Sequence, residues 1–361
     1  MKIVFVRVAA VGALLGAIAC GSDASKGAGD TTQTAAAGAV DLTGAGATFP
    51  YPLYSKWFSE YAAKTGVKIN YQSIGSGGGI RQLSEQTVDF GASDAPMTDD
   101  ELAKARGGTV LHVPTVIGAV AIAYNLPTLK QPLRLSGPVA ADIFLGKLKR
   151  WSDTRIAALN PDVTLPNTDI LIAHRSDGSG TTFIFTSYLS AVSADWKTGP
   201  GAGKQVQWPA GIGGKGNEGV AGTIKQTPGA VGYVELAYAR QNNLPTALVQ
   251  NADGKFVAPS IEGATAAAQG AASSLPANTD YRVSIVNAAG AASYPIASFT
   301  WLLVYQHMPD AAKAKKLADF IRWALTEGQK DASELAYAPL PASMATALVA
   351  RVDSISFGSA K

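Results

Sequence analysis

The stretch ILIAHRSDGSGTTFIFTSYLSAV, residues 170–192, combines an aliphatic run, a turn rich in serine and glycine, and a helical segment. Its first part, Ile170 to Ala173, is short, apolar and bounded by turn residues, which is typical of a buried strand. The turn leads directly into the helical part, Thr182 to Val192. Because a strand followed by a tight turn and a helix is the unit from which α/β proteins are built, this stretch predicts that fold class.

The same alternation continues on both sides of this stretch. Strands are predicted at 67–71, 109–113, 119–124 and 299–305, and helices at 53–63, 80–85 and 310–326. Four apolar residues of the last helix recur at i, i+3, i+4 and i+7, and so form one buried stripe. They are Leu317, Phe320, Ile321 and Ala324. The sequence therefore predicts an α/β fold with largely parallel or mixed sheets.

The composition excludes several classes of protein. The chain has 361 residues, 47% of them hydrophobic, and its length suggests about two domains. With 30 Lys and Arg against 27 Asp and Glu, it lacks the dense basic face on which nucleic-acid binders depend. One Cys and three scattered His exclude an intramolecular disulfide and argue against a Cys- or His-built metal site. No metal or cofactor is therefore predicted.

One glycine pattern could suggest a nucleotide site. Gly211, Gly213 and Gly216 have the dinucleotide-binding spacing, but they follow Trp208-Pro209-Ala210 rather than a clear strand. No acidic residue lies in a second strand about twenty residues further on, as that motif requires. Residues 199–222 are therefore interpreted as a surface loop.

The amino terminus has the pattern of a targeting segment. In residues 1–19 two basic residues precede the apolar run 8–19, which is too short to span a bilayer. Ordinary cleavage after Ala19 remains open, but the position of the only Cys favours lipoprotein processing with Cys20 acylated. Residues 20–40 are small and polar and predict a flexible tether. We expect a periplasmic or extracytoplasmic protein that touches the membrane only through this lipid.

Three glycine-rich turns precede helical stretches and carry hydroxyl side chains. They are 44–50, 75–79 and 176–181. A helix amino terminus presents unpaired N–H groups and a partial positive charge, and glycine lets an anion approach the backbone closely. Each turn alone could serve only as a helix cap, with Thr48 a candidate N-cap. Three of them in one chain indicate an anion site.

Two charged residues refine this hypothesis. Arg175 ends a predicted strand, where α/β proteins place ligand contacts, and could grip two oxygens of a tetrahedral anion while Asp177 orients it. The alternative is a surface Arg–Asp pair. Asp94 follows a short apolar step, and a carboxylate belongs in an anion site if the anion carries a proton, as phosphate does and sulfate does not. The alternative is that Asp94 caps a helix starting near Pro96.

Seven stretches of the chain, in this order, strongly resemble the phosphate-binding protein of bacterial ABC phosphate importers. They are GAGATFPYPLYSKW (44–57), IGSGGGIRQL (74–83), VDFGASDAPM (88–97), PTVIGAVAIAYN (114–125), IFLGKLKRWSDTRIAALNP (143–161), RSDGSGTTFIFTSYL (175–189) and GGKGNEGVAGTIKQTPGAVGYVE (213–235). With the carboxy-terminal helix, the resemblance covers nearly all of residues 43–350.

The resemblance implies a two-lobed periplasmic-binding-protein fold of type II, with two mixed sheets flanked by helices and a hinge of two crossing strands. The lobes would comprise residues 41–117 with 291–361, and residues 118–290. The chain would cross between them near Ile117-Gly118 and near Ala289–Ser293. It also implies capture of inorganic phosphate by a monomer for delivery to an ABC permease and its ATPase.

The resemblance assigns the phosphate contacts to eight positions. They are Thr48, Phe49, Ser76 and Asp94 in the first lobe, and Arg175, Ser179, Gly180 and Thr181 in the second. Relatives often have a second serine where this chain has Gly77, and a basic residue where it has His174.

Two other functions are considered beside phosphate import. One is an extracytoplasmic phosphate sensor or scavenging protein. The other is a phosphoesterase with Ser179 or Thr48 as nucleophile, for which His174 is the nearest candidate base. The spacing does not suggest a converging geometry, so no enzyme activity and no catalytic residue are predicted.

Overall fold

The computed structural model describes residues 42–271 and 280–357. The predicted signal peptide, the tether and Cys20 lie outside the described residues. Strands and helices alternate along the described chain, and the predicted α/β class with mixed sheets flanked by helices is confirmed. In this part of the chain no helix combines the length and apolar character needed to cross a membrane.

The secondary structure comprises the following elements. The strands are β1 (Leu42–Gly46), β2 (Ile69–Ser73), β3 (Phe90–Ser93), β4 (Val110–Tyr124), β5 (Arg134–Leu135), β6 (Leu171–Arg175), β7 (Ile212–Gly214), β8 (Ala230–Glu235), β9 (Leu248–Gln250), β10 (Phe256–Val257), β11 (Ala297–Tyr305), β12 (His307–Met308) and β13 (Ser356–Phe357). The helices are α1 (Tyr51–Thr65), α2 (Ser76–Ser84), α3 (Asp99–Ala103), α4 (Gly137–Phe144), α5 (Thr154–Ala157), α6 (Gly180–Val192), α7 (Ala194–Thr198), α8 (Gly216–Gln226), α9 (Leu236–Gln241), α10 (Ile261–Ala271), α11 (Ala311–Leu325) and α12 (Ala342–Val352).

Eight strands form one sheet in the order β2-β1-β3-β11-β4-β8-β6-β7. Strand β4 joins its two sections. Section I contains β2, β1, β3 and β11, which pairs with β4 as far as Ala119. Section II begins at Val120, where β4 pairs with β8, and continues through β6 to β7. The structure thus brings both sections together through one strand.

Strand β4 is longer than the sequence predicts. Two separate strands are predicted at 109–113 and 119–124, whereas one buried strand of 15 residues runs through both. Pro114 within it cannot donate to a neighbouring strand, so a break in pairing is required there. The register against β11 shifts between Thr300 and Trp301, which faces Pro114, and this bulge accommodates the proline.

Each section contains three parallel strands whose carboxyl ends lead into glycine-rich turns. In section I β2, β1 and β3 are parallel, and in section II β6 is parallel to both β7 and β8. The carboxyl ends of parallel strands share one edge of a sheet, and ligands of α/β proteins bind at that edge. Every predicted anion-binding residue lies at the end of a strand or within a few residues of it.

One loop prediction and one helix boundary need correction, and one helix prediction is confirmed. Residues 212–222, interpreted as loop, form β7 and most of α8. Helix α2 begins at Ser76 rather than Ile80, so the glycines belong to its first turns. Gly79 is needed there for packing, since a Cβ on it would lie 2.5 Å from the carbonyl oxygen of Ala45. The predicted carboxy-terminal helix is α11, capped by Asp310, which accepts the N–H of Lys313, and its apolar stripe is buried.

Candidate functional site

The turns at the strand ends of sections I and II meet one another. The hydroxyl oxygen of Ser76 accepts the backbone N–H of Gly180 at 3.1 Å. The N–H of Gly77 donates to the carbonyl oxygen of Gly178 at 2.8 Å. All eight residues predicted to contact the anion are buried, so the structure brings the whole predicted set into one enclosed region between the sections.

Three hydroxyl groups in this region already accept two hydrogen bonds each. Ser76 accepts from the backbone N–H groups of Asp94 and Gly180, both at 3.1 Å. Thr48 and Thr181 each accept two N–H bonds as well. A hydroxyl has two lone pairs and one hydrogen, so a hydroxyl with both lone pairs in use can only donate further. Each of these hydroxyls can therefore only donate its hydrogen: that of Ser76 is directed at Asp94 Oδ2 at 3.5 Å, and those of Thr48 and Thr181 suit an anion.

Asn217 supplies three of these six bonds, although no local sequence pattern marks it as part of the site. Its side-chain Nδ2 donates to Thr48 Oγ1 at 2.8 Å and to Thr181 Oγ1 at 3.1 Å. Its backbone N–H also donates to Thr48 Oγ1, at 3.2 Å. The residue lies at the start of α8, inside the stretch read as loop. The sequence feature that could have pointed to Asn217 is Gly216, the third glycine of the dinucleotide-like pattern, which directly precedes it.

Arg175 is held by Asp177 at the end of β6. Its Nε donates to Asp177 Oδ1 at 2.8 Å and its Nη2 to Oδ2 at 2.5 Å, and its guanidinium is buried. Burial raises the pKa of Asp177, but the hydrogen bonds and charge of Arg175, with the N–H of Gly216, outweigh it and hold that pKa below its ordinary value. With Nη1 on Thr181, two guanidinium N–H groups remain for a ligand.

Asp94 is a buried carboxyl group that faces the second section. Its Oδ1 accepts the hydroxyl of Thr300 at 2.9 Å, and its Oδ2 lies 3.5 Å from Ser76 Oγ. Burial raises the pKa of Asp94 to about 7, and the Thr300 hydrogen bond and the charge of Arg175 oppose this only in part. Asp94 does not cap a helix near Pro96, because α3 begins at Asp99 and is capped by Thr98.

The turn after β1 is fixed through its backbone carbonyl groups. Tyr238 donates its hydroxyl to the carbonyl oxygen of Thr48, and Tyr337 donates to that of Phe49, both at 2.6 Å. The expectation that Thr48 caps α1 is wrong, since Pro50 occupies that position and no side chain caps the helix. Its hydroxyl bonds to Asn217 instead. Within the described chain the backbone N–H of Phe49 has no acceptor, so it can serve a ligand.

Ser179 and Gly180 open helix α6 toward the site. The Ser179 hydroxyl caps the helix by accepting the N–H of Thr182 at 3.0 Å. Gly180 lies so close to section I that a Cβ there would fall 2.6 Å from Asp94 Oδ2 and 2.5 Å from Ser76 Oγ. Glycine is therefore required at this contact. Further out, Lys204 and Glu101 form an ion pair between the sections, with Nζ 2.7 Å from both carboxylate oxygens.

His174 is not arranged as a catalytic base for either candidate nucleophile. Its ring stacks on Trp208 with centroids 4.8 Å apart, and its Nδ1 lies 3.1 Å from the carbonyl oxygen of Arg175. The hydroxyl oxygens of Thr48 and Ser179 bond to Asn217 and to the Thr182 N–H instead. The described residues therefore hold no Ser–His or Thr–His pair at this site.

The arrangement offers an anion directed donors rather than a net positive charge. The single guanidinium is balanced by Asp177, so selectivity must come from hydroxyls, N–H groups and helix amino termini. Helices α2, α6 and α8 begin at the site, within the described chain. Among the side chains that face it, Asp94 offers an acceptor. Such a site fits a tetrahedral oxyanion that retains a hydrogen.

The chain is similar in sequence to known proteins. The PBP superfamily domain matches residues 24–327. Phosphate-binding protein PstS of Xylella fastidiosa is 50% identical over 306 residues, which cover 84% of this chain and 83% of that protein. The PstS of Haemophilus influenzae is 47% identical over 311 residues, covering 86% and 92%.

Solved structures share the fold. A high-affinity periplasmic phosphate-binding protein, PfluDING, determined with bound phosphate, aligns with a TM-score of 0.69 and 22% identity over 86% of this chain and 93% of its own. A putative phosphate ABC transporter substrate-binding protein from Clostridium perfringens aligns with a TM-score of 0.60 and 16% identity, covering 84% and 100%. By sequence, the chain belongs to the PstS family of phosphate-binding proteins within the PBP superfamily.

Proposed function

We propose that this protein captures inorganic phosphate outside the cytoplasmic membrane and delivers it to an ABC permease. One observation carries the proposal: buried hydroxyl groups, Arg175 and the buried carboxyl group of Asp94 lie together where the two sections meet. Donors bind the oxygens of phosphate, and the carboxylate accepts its hydrogen. The names of close relatives, which describe phosphate-binding proteins, support the same ligand.

The eight predicted positions act together in this proposal. Thr48, Ser76 and Thr181 donate hydroxyl hydrogens, while Phe49 and Gly180 contribute backbone N–H groups. Ser179 opens the helix whose amino terminus attracts the anion. Arg175 supplies the positive charge, and the Asp94 carboxylate accepts a hydrogen bond from the protonated oxygen of the ligand. In the present closed arrangement the Gly180 N–H donates to Ser76, so phosphate would take over or share that bond.

The proposal includes opening and closing of the site. We assign residues 41–117 with 291–361 to one lobe and 118–290 to the other, so that β4 crosses between them near Gly118. The ring of Phe49 packs against this point, since a Cβ on Gly118 would lie 2.4 Å from it. Movement at the crossing would shift a ligand-contacting turn directly. Hinged closure of this kind encloses a ligand between two lobes.

The cellular setting also belongs to the proposal. A signal peptide at 1–19 and an acylated Cys20 with a tether to residue 40 would hold the protein at a membrane while it works in solution as a monomer. We propose no enzymatic activity, because close relatives are named as binding proteins and, among the described residues, the hydroxyls of Thr48 and Ser179 have no histidine base.

Calorimetric titration of the purified protein tests the proposed ligand. We expect saturable binding of phosphate near pH 8 and at least about hundredfold weaker binding of sulfate, because sulfate leaves the Asp94 carboxylate facing an oxygen without a hydrogen. Equal affinity for the two anions would contradict the role of Asp94. Failure to bind phosphate at all would contradict the proposed function.

Replacing Gly180 by alanine is expected to weaken phosphate binding by about ten- to a hundredfold. The added methyl group would press on Ser76 and Asp94, which belong to the opposite section, and so would prevent full closure. Gly222→Ala is the matched control, because a Cβ there meets nothing within 4 Å and alanine favours the helix. Calorimetry that finds Gly180→Ala and Gly222→Ala equally tight would show that the close contact is unimportant for binding.

A further inference from the structure

We propose that Asn217 is a positioning residue that directs the hydroxyl hydrogens of Thr48 and Thr181 at the bound anion. The inference rests on the proposed function and adds to it a residue outside the predicted contact set. Asn217 belongs to section II together with Thr181, whereas Thr48 belongs to section I. One amide group therefore controls donors on both sides of the site.

The orientation of the Asn217 amide is fixed by a third partner. Its Oδ1 accepts the backbone N–H of Glu235 at 2.8 Å, and its side chain is fully buried. If the amide were turned over, its NH₂ group would face this N–H donor and its oxygen would face the threonines. The Glu235 N–H therefore keeps Nδ2 directed at the two hydroxyls.

The bonds from Asn217 fill the lone pairs of Thr48. The Thr48 oxygen accepts Asn217 Nδ2 at 2.8 Å and the Asn217 backbone N–H at 3.2 Å. Its hydrogen must then point away from both donors. Without the Asn217 amide only the backbone bond would remain, so the hydroxyl could rotate and present its released lone pair to the anion, which repels it.

Thr181 is controlled by two residues at once. Its oxygen accepts Asn217 Nδ2 at 3.1 Å and Arg175 Nη1 at 3.3 Å. Removing the amide would release one lone pair and leave the hydroxyl free to exchange donor and acceptor directions. The loss of phosphate affinity is therefore expected to arise from both threonines. Thr48 should contribute more, because its bond to the Asn217 side chain is the shorter of the two.

A double-mutant cycle separates this role from simple packing. Phosphate affinity is measured by calorimetry for the wild type, Asn217→Ala, Thr48→Val and the double variant. In the wild type we expect Asn217→Ala to weaken phosphate binding about ten- to a hundredfold. In the Thr48→Val background we expect the same substitution to cause an affinity loss at least about threefold smaller. Additive losses, with the wild type binding normally, would overturn the inference. A wild type that fails to bind would overturn the proposed function itself.

Asn125→Ala provides the matched control for stability. Asn125 donates its Nδ2 to the carbonyl oxygens of Ile224 and Lys225, at 2.9 and 3.0 Å, at the opposite end of α8. We expect this variant to lower the melting temperature of the free protein while leaving phosphate affinity within about twofold of wild type. If both asparagine variants lose affinity in proportion to their loss of stability, Asn217 acts through the fold and the inference is wrong.

Discussion

Replacing Arg175 by leucine is expected to lower phosphate affinity by about a thousandfold or more. The guanidinium is the charged donor of the site, the side chain of Arg175 is 1% exposed, and two of its N–H groups remain beyond those used by Asp177 and Thr181. Charge-assisted hydrogen bonds in a buried site are about twice as strong as neutral ones. Leucine has a similar apolar volume, so packing around β6 is largely retained.

The same substitution also affects the fold, and a second variant separates the two effects. Arg175→Leu leaves the carboxylate of Asp177 in a mostly buried position, where it keeps the N–H of Gly216 but loses its charged partner. We expect Arg175→Leu/Asp177→Asn to recover most of the lost melting temperature but none of the lost affinity. Arg155→Leu is the control, because Arg155 pairs with Asp153 and Asp142 at the surface.

Calorimetry and thermal unfolding of these variants give a clear decision. If the double variant binds phosphate within about tenfold of the wild type, then the hydroxyls and helix termini suffice, and Arg175 is a structural partner of Asp177. The Arg175–Asp177 pair is buried rather than at the surface, and that outcome would mean that it serves the fold and not the ligand. A control that also loses affinity would indicate a general electrostatic effect instead.

The three glycine-rich turns of the candidate site could be singled out because their sequence patterns are local. A strand end, glycine and a hydroxyl before a helix occur within a few residues at Thr48, Ser76 and Ser179, and α/β topology places such ends at one edge. Sequence reasoning could not show that the turns meet. That depends on the pairing of β4 with both β11 and β8, which joins residues far apart in the chain.

The site residues that the sequence does not predict make their hydrogen bonds to residues far away in the chain. Thr300 donates to Asp94 from 206 positions away in the sequence, and Asn217 lies 169 positions from Thr48. A single threonine or asparagine has no local pattern that marks such a partner. The glycines before Asn217 suggest a loop, but the structure has β7 and the start of α8 there. These glycines allow close packing, as at Gly214 against the α8 backbone.

Replacing Asp94 by asparagine is expected to stabilise the free protein at pH 8 while damaging its selectivity. Burial raises the pKa of Asp94 from 3.8 to about 7. Between those values the unfolded chain is ionised at this residue and the folded protein remains protonated, so this carboxyl group makes stability fall as the pH rises from about 4 to about 7. At pH 8 the wild type carries the full cost, on the order of a few kcal/mol, which asparagine removes.

Melting temperatures at pH 4.5 and pH 8 test this sign. We expect the advantage of Asp94→Asn over the wild type to be several degrees larger at pH 8 than at pH 4.5, in phosphate-free buffer. Asp169→Asn serves as the control, because the Asp169 side chain is 70% exposed. An advantage that shrinks as the pH rises would mean that the Asp94 carboxylate is stabilised by its surroundings rather than penalised by burial.

The selectivity of the site should depend on pH through the same carboxyl group. Below about pH 7 Asp94 gains a proton and becomes a donor, so sulfate should bind the wild type progressively better as the pH falls. Asp94→Asn carries a donor at every pH, and we expect it to bind sulfate at least about tenfold more tightly than the wild type at pH 8, with little pH dependence. Calorimetric titration with sulfate at pH 5.5 and pH 8 measures both. A wild type that rejects sulfate equally at the two pH values would locate the discrimination in a group other than Asp94, because Asp94 is the facing carboxyl group whose hydrogen-bonding role reverses over that range.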